Sequence, residues 1–397
     1  MSLRSQSRTR SVVAGFAKGP PMKNNAWCLI ILWAALAGAA AAQEARLRPA
    51  EEFKFPTLTD GNSPSFWRNE RLQLFTSYGV AQQLSTYHHD ENAWETGWVN
   101  ATGLKKKAIW IEAAWADPDG TVFGWYHHEP SGLHSDPYLT APKIGALVSY
   151  DGGYTVHDLG VVLESGDPLD RNSKNGFFLG GHGDFSVILD SERRYFYFFF
   201  TNYGGALETQ GVVMARLPFG NRFDPVGKLQ KFHDGEWTEP GLGGRVTPLF
   251  PAQRAWHHPD PDSYWGAAVH WNTYLNRYVM LLNHAAGEPG WSQEGIYISY
   301  GTDLSQPESW TAPQRLMDPA EVPGHLSRYY PQVVGLEPGG TDSLAGQTAR
   351  FFLNGTSRWE IEFFTGSEPK GDVDLPPDPD RPPDAPVDLN IELPAPP

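Results

Sequence analysis

Two acids in this chain stand where acids are costly to keep. Glu112 opens the run Glu112-Ala-Ala-Trp-Ala, and Asp184 opens Asp184-Phe-Ser-Val-Ile-Leu. The two runs are copies of one motif, so their carboxyl groups hold equivalent places, where desolvation and mutual repulsion both penalise charge. Carboxyl groups kept in different protonation states, one giving a proton while another takes one, are the equipment of general acid–base chemistry. Two further acids stand close in the chain: Asp60 ahead of the first copy, and Glu129 at the end of a neighbouring run. At the ends of comparable runs come Asn62, His127, His128, His182, Asn202, Tyr203, Trp265, His284, Arg328, Tyr329 and Tyr330. Polar residues end strands in any sheet. Acids at matched starts of successive copies are what that rule explains poorly.

Positioning such groups requires elements that bring the copies around a common axis. The motif is an apolar strand, a tight polar turn and a second apolar strand, and it recurs with starts at 63, 112, 184, 266 and 330. The spacings of 49, 72, 82 and 64 residues leave room for four short strands and long loops per copy. Aromatic and β-branched runs bounded by Gly, Pro, Asp and Asn at such a period are the signature of blades, so the fold expected is all-β, a five-bladed β-propeller. In that fold the start of each innermost strand and the end of the next border one funnel, and the residues named above gather there. Ser149-Tyr-Asp151-Gly-Gly153-Tyr-Thr155 fits the S-x-D-x-G-x-T Asp-box, a turn between outer strands whose side chains bond local backbone. Ser85 to Trp94 and Ser299 to Trp310 are degenerate versions, and all three are rim markers of the fold.

Residues 1–42 read as a leader whose natural start is Met22: a charged segment, the apolar core Ala26-Trp-Cys-Leu-Ile-Ile-Leu-Trp, and Ala40-Ala-Ala42 ahead of cleavage. The product is expected to be secreted or periplasmic, with residues 43–365 as one domain. The single cysteine, Cys28, lies inside the leader, so no disulfide or thiol chemistry is expected in the mature chain. No other apolar run approaches the ~20 residues of a membrane span. The leader carries five basic and no acidic residues, so its loss takes the formal charge from −15 to −20 and argues against nucleic acid as a partner. Residues 366–397, with ten prolines, eight acids and two bases, read as a disordered tail.

The start Asp60-Gly-Asn-Ser-Pro-Ser-Phe-Trp, the Gly183-Asp184-Phe-Ser run and the five copies resemble the five-bladed glycoside hydrolases of the family 43, 32, 62, 68 and 117 type, over about residues 55–365. The resemblance implies a carbohydrate substrate and three acids from successive inner strands: an Asp as base or nucleophile, an orienting Asp and a Glu as general acid. Glu112 and Asp184 match the second and third in place, with Asp and Glu exchanged. The first is Ser63-Pro64 where Asp-Pro is expected, leaving Asp60 or Glu129 to supply that carboxylate. Retention needs carboxyl groups about 5–5.5 Å apart and inversion ~6.5–9.5 Å, and a wide funnel favours inversion. A propeller that binds glycan without turnover is the alternative. A sialidase-like site is the third, resting on the Asp-box, but it calls for three arginines, and the candidates are Arg328, Arg245 and Arg254. No cofactor is expected. Some related propellers hold a cation in the central channel, which His270 is placed to face, although a core histidine is the simpler reading. The loop Trp256-His257-His258-Pro-Asp260-Pro-Asp262 carries metal-ligand types but reads as surface.

Overall fold

In a computed structural model the described residues are 44–104, 108–287, 289–324 and 328–365. The expected leader and acidic tail lie outside them. Five antiparallel sheets form the blades of a five-bladed β-propeller. Their inner strands are Ser65–Arg68, Ala108–Ala116, His182–Leu189, Ser263–Asn272 and Pro331–Gly335. Blade five is closed by the first strand of the chain: Glu44–Lys54 pairs antiparallel with Thr356–Phe364, from Glu44 opposite Phe364 to Lys54 opposite Thr356. Two short strands add parallel rungs: Asn100–Thr102 beside the outer strand of blade two, and Leu344–Ala345 beside the inner strand of blade four.

Each blade buries both faces, which explains the unbroken aromatic run in Tyr195–Asn202. Period-2 alternation sends Phe196, Phe198 and Phe200 towards blade two, against Phe123 and Trp125, and sends Tyr197 and Phe199 towards blade four, against Met280 and Leu282. Equivalent apolar seams join blades four and five, one and two, and five and one. Fully burying one such side chain stabilises by roughly 1.5–3 kcal/mol, so the ring of seams is a rigid frame.

The Asp-box is formed as its residues predict. Ser149 Oγ donates to Asp151 Oδ1, and Asp151 Oδ1 accepts the Thr155 N–H, both at 2.8 Å. Gly153 donates its N–H to Ser149 Oγ at 2.8 Å, from a backbone at φ 105°.

Three inner strands carry a β-bulge at the same level. The register shifts between Ile111 and Ala113, between Gly183 and Phe185, and between Trp265 and Ala268. A bulge leaves one residue out of the ladder and re-aims its side chain. In blades two and three those residues are Glu112 and Asp184.

Candidate active site

Glu112 and Asp184 are turned into one cavity at the funnel, and both are almost wholly buried, at 2% and 4% exposure. The cavity holds about 210 Å³, with Asp60, Glu129 and His127 completing its polar side. Trp110, Phe177, Phe178, Trp265, Trp291, Tyr329 and Tyr330 form its walls. No lysine or arginine lines it among the described residues.

Asp184 is held from several sides. The Tyr203 hydroxyl donates to Oδ2, and the Tyr330 hydroxyl donates to Oδ1 at 3.1 Å. Its backbone, at φ 43°, is in a region that non-glycine residues adopt only when the surroundings enforce it. Its N–H donates to His127 Nδ1 at 3.1 Å. Burial raises the Asp184 pKa above the ordinary aspartate value, and the opposing pull of His127 and of the Tyr203 and Tyr330 hydroxyls does not cancel it. Two hydroxyl donors on its oxygens favour the ionised form.

Glu112 lies deeper. Its Oε2 accepts the Phe185 N–H at 2.9 Å, so the bulge that presents Asp184 also anchors Glu112. A Cβ on Gly61 would stand 2.7 Å from Oε1, so the loop after Asp60 runs directly over this carboxyl. Burial pushes the Glu112 pKa well above the usual carboxylate range, with His127 opposing and the Asp184 charge adding. Asp60, at the mouth, is raised to about 6 by burial and by Asp184 and Glu129.

His127 sits among these acids, 3.7 Å by Nδ1 from Glu112 Oε1 and 3.3 Å by Nε2 from Glu129 Oε1. Burial lowers its pKa, but Glu129, Glu112 and Asp184 outweigh that and lift it to about 9. That favours a doubly protonated ring, whereas the Asp184 N–H requires a bare Nδ1. The bond decides for Nδ1 unprotonated and Nε2–H facing Glu129, because two donors cannot share one line. The contact with Glu129 is an ion-pair distance without hydrogen-bond alignment, since Nε2 has no aligned acceptor.

One ligand atom each from Glu112, His127 and Asp184 lies within 4.8 Å of the others, a spacing that suits a cation. His127 Nδ1 has its single lone pair engaged by the Asp184 N–H, so a metal there would displace that bond, whereas the carboxylate oxygens keep lone pairs beyond the bonds they accept from the Phe185 N–H and the two tyrosine hydroxyls. His270 packs against Phe363 of blade five at 5.7 Å, and burial lowers its pKa to about 3. It faces a blade seam, in keeping with a core histidine.

Of the predicted site residues, Asp60, Glu112, His127, Glu129, Asp184, Trp265, Tyr329 and Tyr330 line the cavity, and Tyr203 reaches it through Asp184. The others do not. Asn62 spans the centre, its amide donating to Phe185 O at 2.9 Å and Ala267 O at 3.2 Å. Strand alternation turns His128 away from the cavity, with Nδ1 at 2.9 Å from Ala108 O. His182 packs on Phe200 at 4.8 Å, two residues from Asp184 but on the far side of the bulge. Asn202 closes its own loop through Gly204 O and Thr209 O. His284 lies between Asp262 and Glu294, at 3.2 and 2.9 Å. Arg328 is exposed, Arg245 pairs with Glu239 and Arg254 with Asp260, so no arginine cluster forms a sialidase-like site among the described residues. Ser63 is fully buried, its N–H and C=O both bonded to the Gln332 side chain.

Phe177, Phe178 and Gly290 were not anticipated. They come from connections between strands, where no period marks them. The glycines around Phe177-Phe178-Leu179 are the only local signal.

No family model matches the chain, and no curated protein matches it. Among solved structures it is similar to an exo-1,5-α-L-arabinanase from a bovine ruminal metagenomic library, with 12% identity, 77% of this chain and 94% of that chain covered, and a TM-score of 0.41. It is similar to an exo-β-1,3-galactanase from Clostridium thermocellum, with 12% identity, coverage of 78% and 62%, and a TM-score of 0.46. For an exo-β-1,3-galactanase from Phanerochaete chrysosporium the values are 11%, 81% and 64%, and 0.43. The chain spans less than two thirds of both galactanase chains. These likenesses carry no argument about activity, and the fold rests on the strand topology.

Proposed function

We propose that the chain is an exported glycosidase that removes a neutral sugar from the end of an oligo- or polysaccharide. The observation that carries this reading is the convergence of Asp60, Glu112 and Asp184, contributed by blades one, two and three, in a single aromatic-walled cavity. At about 210 Å³ it is small beside the ~300–1,000 Å³ of common ligand clefts, so it suits one ring more than a chain segment. Aromatic walls stack on sugar faces, and acid side chains accept from hydroxyl groups. The lack of lysine and arginine disfavours an acidic sugar in this cavity.

Asp60, raised to about 6, is the proton donor to the glycosidic oxygen. Asp184, whose ionised form accepts from the Tyr203 and Tyr330 hydroxyls, takes the proton of a water that attacks the anomeric carbon, which inverts its configuration. One water adds across the bond, and a proton has passed from Asp60 to the leaving group while another has arrived on Asp184. Glu112, sealed under Gly61, orients the bulge by accepting the Phe185 N–H.

The alternative, glycan binding without turnover, is favoured by Ser63, a backbone clamp where the resemblance calls for an acid. The test is turnover of aryl glycosides and neutral oligosaccharides by the mature chain, with the product anomer read by NMR. Asp184→Asn is expected to lower turnover by at least ~10³-fold while leaving thermal stability and sugar affinity close to wild type. Binding without turnover in the wild type supports the alternative, and turnover that survives Asp184→Asn removes this residue from the mechanism.

A further inference from the structure

A second cavity, of about 370 Å³, lies at the opposite end of the propeller from the funnel. The strand that leaves the funnel at Ser65 ends there at Arg68, and the next begins there at Arg71. The Asp-box turn of blade two reaches the same end, because Ser149 pairs with the strand position farthest from Glu129.

The seam between blades one and two is apolar along most of its length, through Phe66, Phe75, Leu84, Ile111 and Tyr126. On the same face of blade one, Arg68 follows Phe66 by two residues, and Arg71 and Gln73 precede Phe75 at the same period. The seam therefore ends in a polar cavity that is partly open to solvent.

Arg68 and Arg71 are direct cross-strand partners. Like charges facing each other across a strand pair destabilise it. Neither arginine has a carboxylate partner in the described residues, although the chain carries a formal charge of −15. Glu95, the acid lining the cavity, is 3.2 Å from His88. Arg68 is also fixed in place. Its guanidinium lies against Gly152, where a Cβ would stand 2.2 Å from Cζ, and 6.0 Å from the ring centre of Tyr154, itself 43% exposed. Gln73, 3% exposed, turns into the same space and is bonded to Thr86 at 2.8 Å.

We propose that this cavity is a binding site for an anionic saccharide, a sugar ring whose carboxylate or sulfate group lies between Arg68 and Arg71. An arginine held in place at Arg68, with the exposed Arg71 directly opposite, matches a two-oxygen anion, and the anion offsets the repulsion between the two charges. The half-exposed Tyr154 ring offers a stacking face, and Gln73 with Glu95 offers partners for hydroxyl groups. This site is separate from the funnel and does not depend on the reaction proposed there.

The test is titration calorimetry of the full chain with tetragalacturonate, with a sulfated galactose oligosaccharide and with its desulfated form. At least one acidic ligand is expected to bind, with affinity falling as salt rises, and the desulfated one to show no binding that depends on Arg68 or Arg71. Which acidic ligand binds separates a uronate from a sulfate. Arg71→Gln and Arg68→Gln are each expected to weaken binding roughly tenfold or more, and Asp184→Asn to leave it unchanged. Arg71→Gln is also expected to leave melting temperature the same or higher, since it removes a like-charge pair. Binding of neither acidic ligand, binding of the desulfated one that the arginine variants weaken equally, or wild-type affinity for the acidic ligands in both arginine variants overturns the proposal. So does a fall of several degrees in melting temperature for Arg71→Gln, which would make that arginine a structural residue.

Discussion

Replacing Asp60 by Asn is expected to make the protein more stable at neutral pH. Burial, with Asp184 and Glu129, raises the Asp60 pKa from 3.8 to about 6. A raised acid favours the folded state while it is protonated. Its contribution is fully present below 3.8 and is lost as pH rises through about 6. A shift of about two units at 1.36 kcal/mol each makes the loss about 3 kcal/mol at most, and solvent at the funnel mouth reduces it. At about 2.1 cal/mol/K per residue, a domain of this size moves by about 1.5 °C per kcal/mol, so Asp60→Asn should gain roughly 2–5 °C above pH 6. Below pH 4 the two proteins should melt together, with the gap opening between pH 4 and 6. Thermal unfolding by circular dichroism across pH 3.5–8 reads this directly. A gap that does not change with pH would show that Asp60 is solvated and outside the acid cluster, and the proposed proton donor would fall with it.

In the pH–rate profile of the wild type, Asp60 as donor should place the alkaline limb near pH 6, and Asp60→Asn should abolish turnover of substrates with poor leaving groups. Tyr203→Phe removes a hydroxyl donor from Asp184, so the acidic limb should move up, and an unmoved limb would mean that Asp184 is not the base. Gly61→Ala forces a side chain onto a backbone at φ 136° and onto Glu112 Oε1, and should cost about 1–3 kcal/mol in urea unfolding. A neutral result would show that the loop does not lie over Glu112.

The blades were legible because period-2 alternation and turn chemistry are local, and five copies of a local pattern imply a ring. The closing strand Glu44–Lys54 was not, since its partner Thr356–Phe364 lies some 300 residues on and nothing local reports it. At the site, Glu112 and Asp184 were legible from matched positions in the copies. His127 and His128 were not separable, because a bulge in the partner strand decides which of two neighbours faces inward. The same holds for His182 beside Asp184. The seam arginines gave no signal, since Arg68 and Arg71 flank an ordinary hairpin turn, and only the register makes them opposite.

The first blade shows why the acids have unequal character. The inner place near the axis is taken by Asn62, whose amide donates to carbonyls of blades three and four. A carboxylate has no hydrogen to donate, so at this place an acid would leave Phe185 O and Ala267 O without their donor. The neighbouring Ser63 is committed as well, since Gln332 binds both its backbone groups. The chain's nearest upstream acid is Asp60, on the loop rather than the strand. That loop passes over Glu112 at Gly61 and carries Asp60 to the cavity mouth. Greater contact with water keeps its pKa near 6, while Glu112 beneath it is driven well above the carboxylate range. With Asn62 and Ser63 both committed to backbone bonds, the titrating group of this blade is Asp60 on the outer loop, where it meets more solvent than Glu112 does.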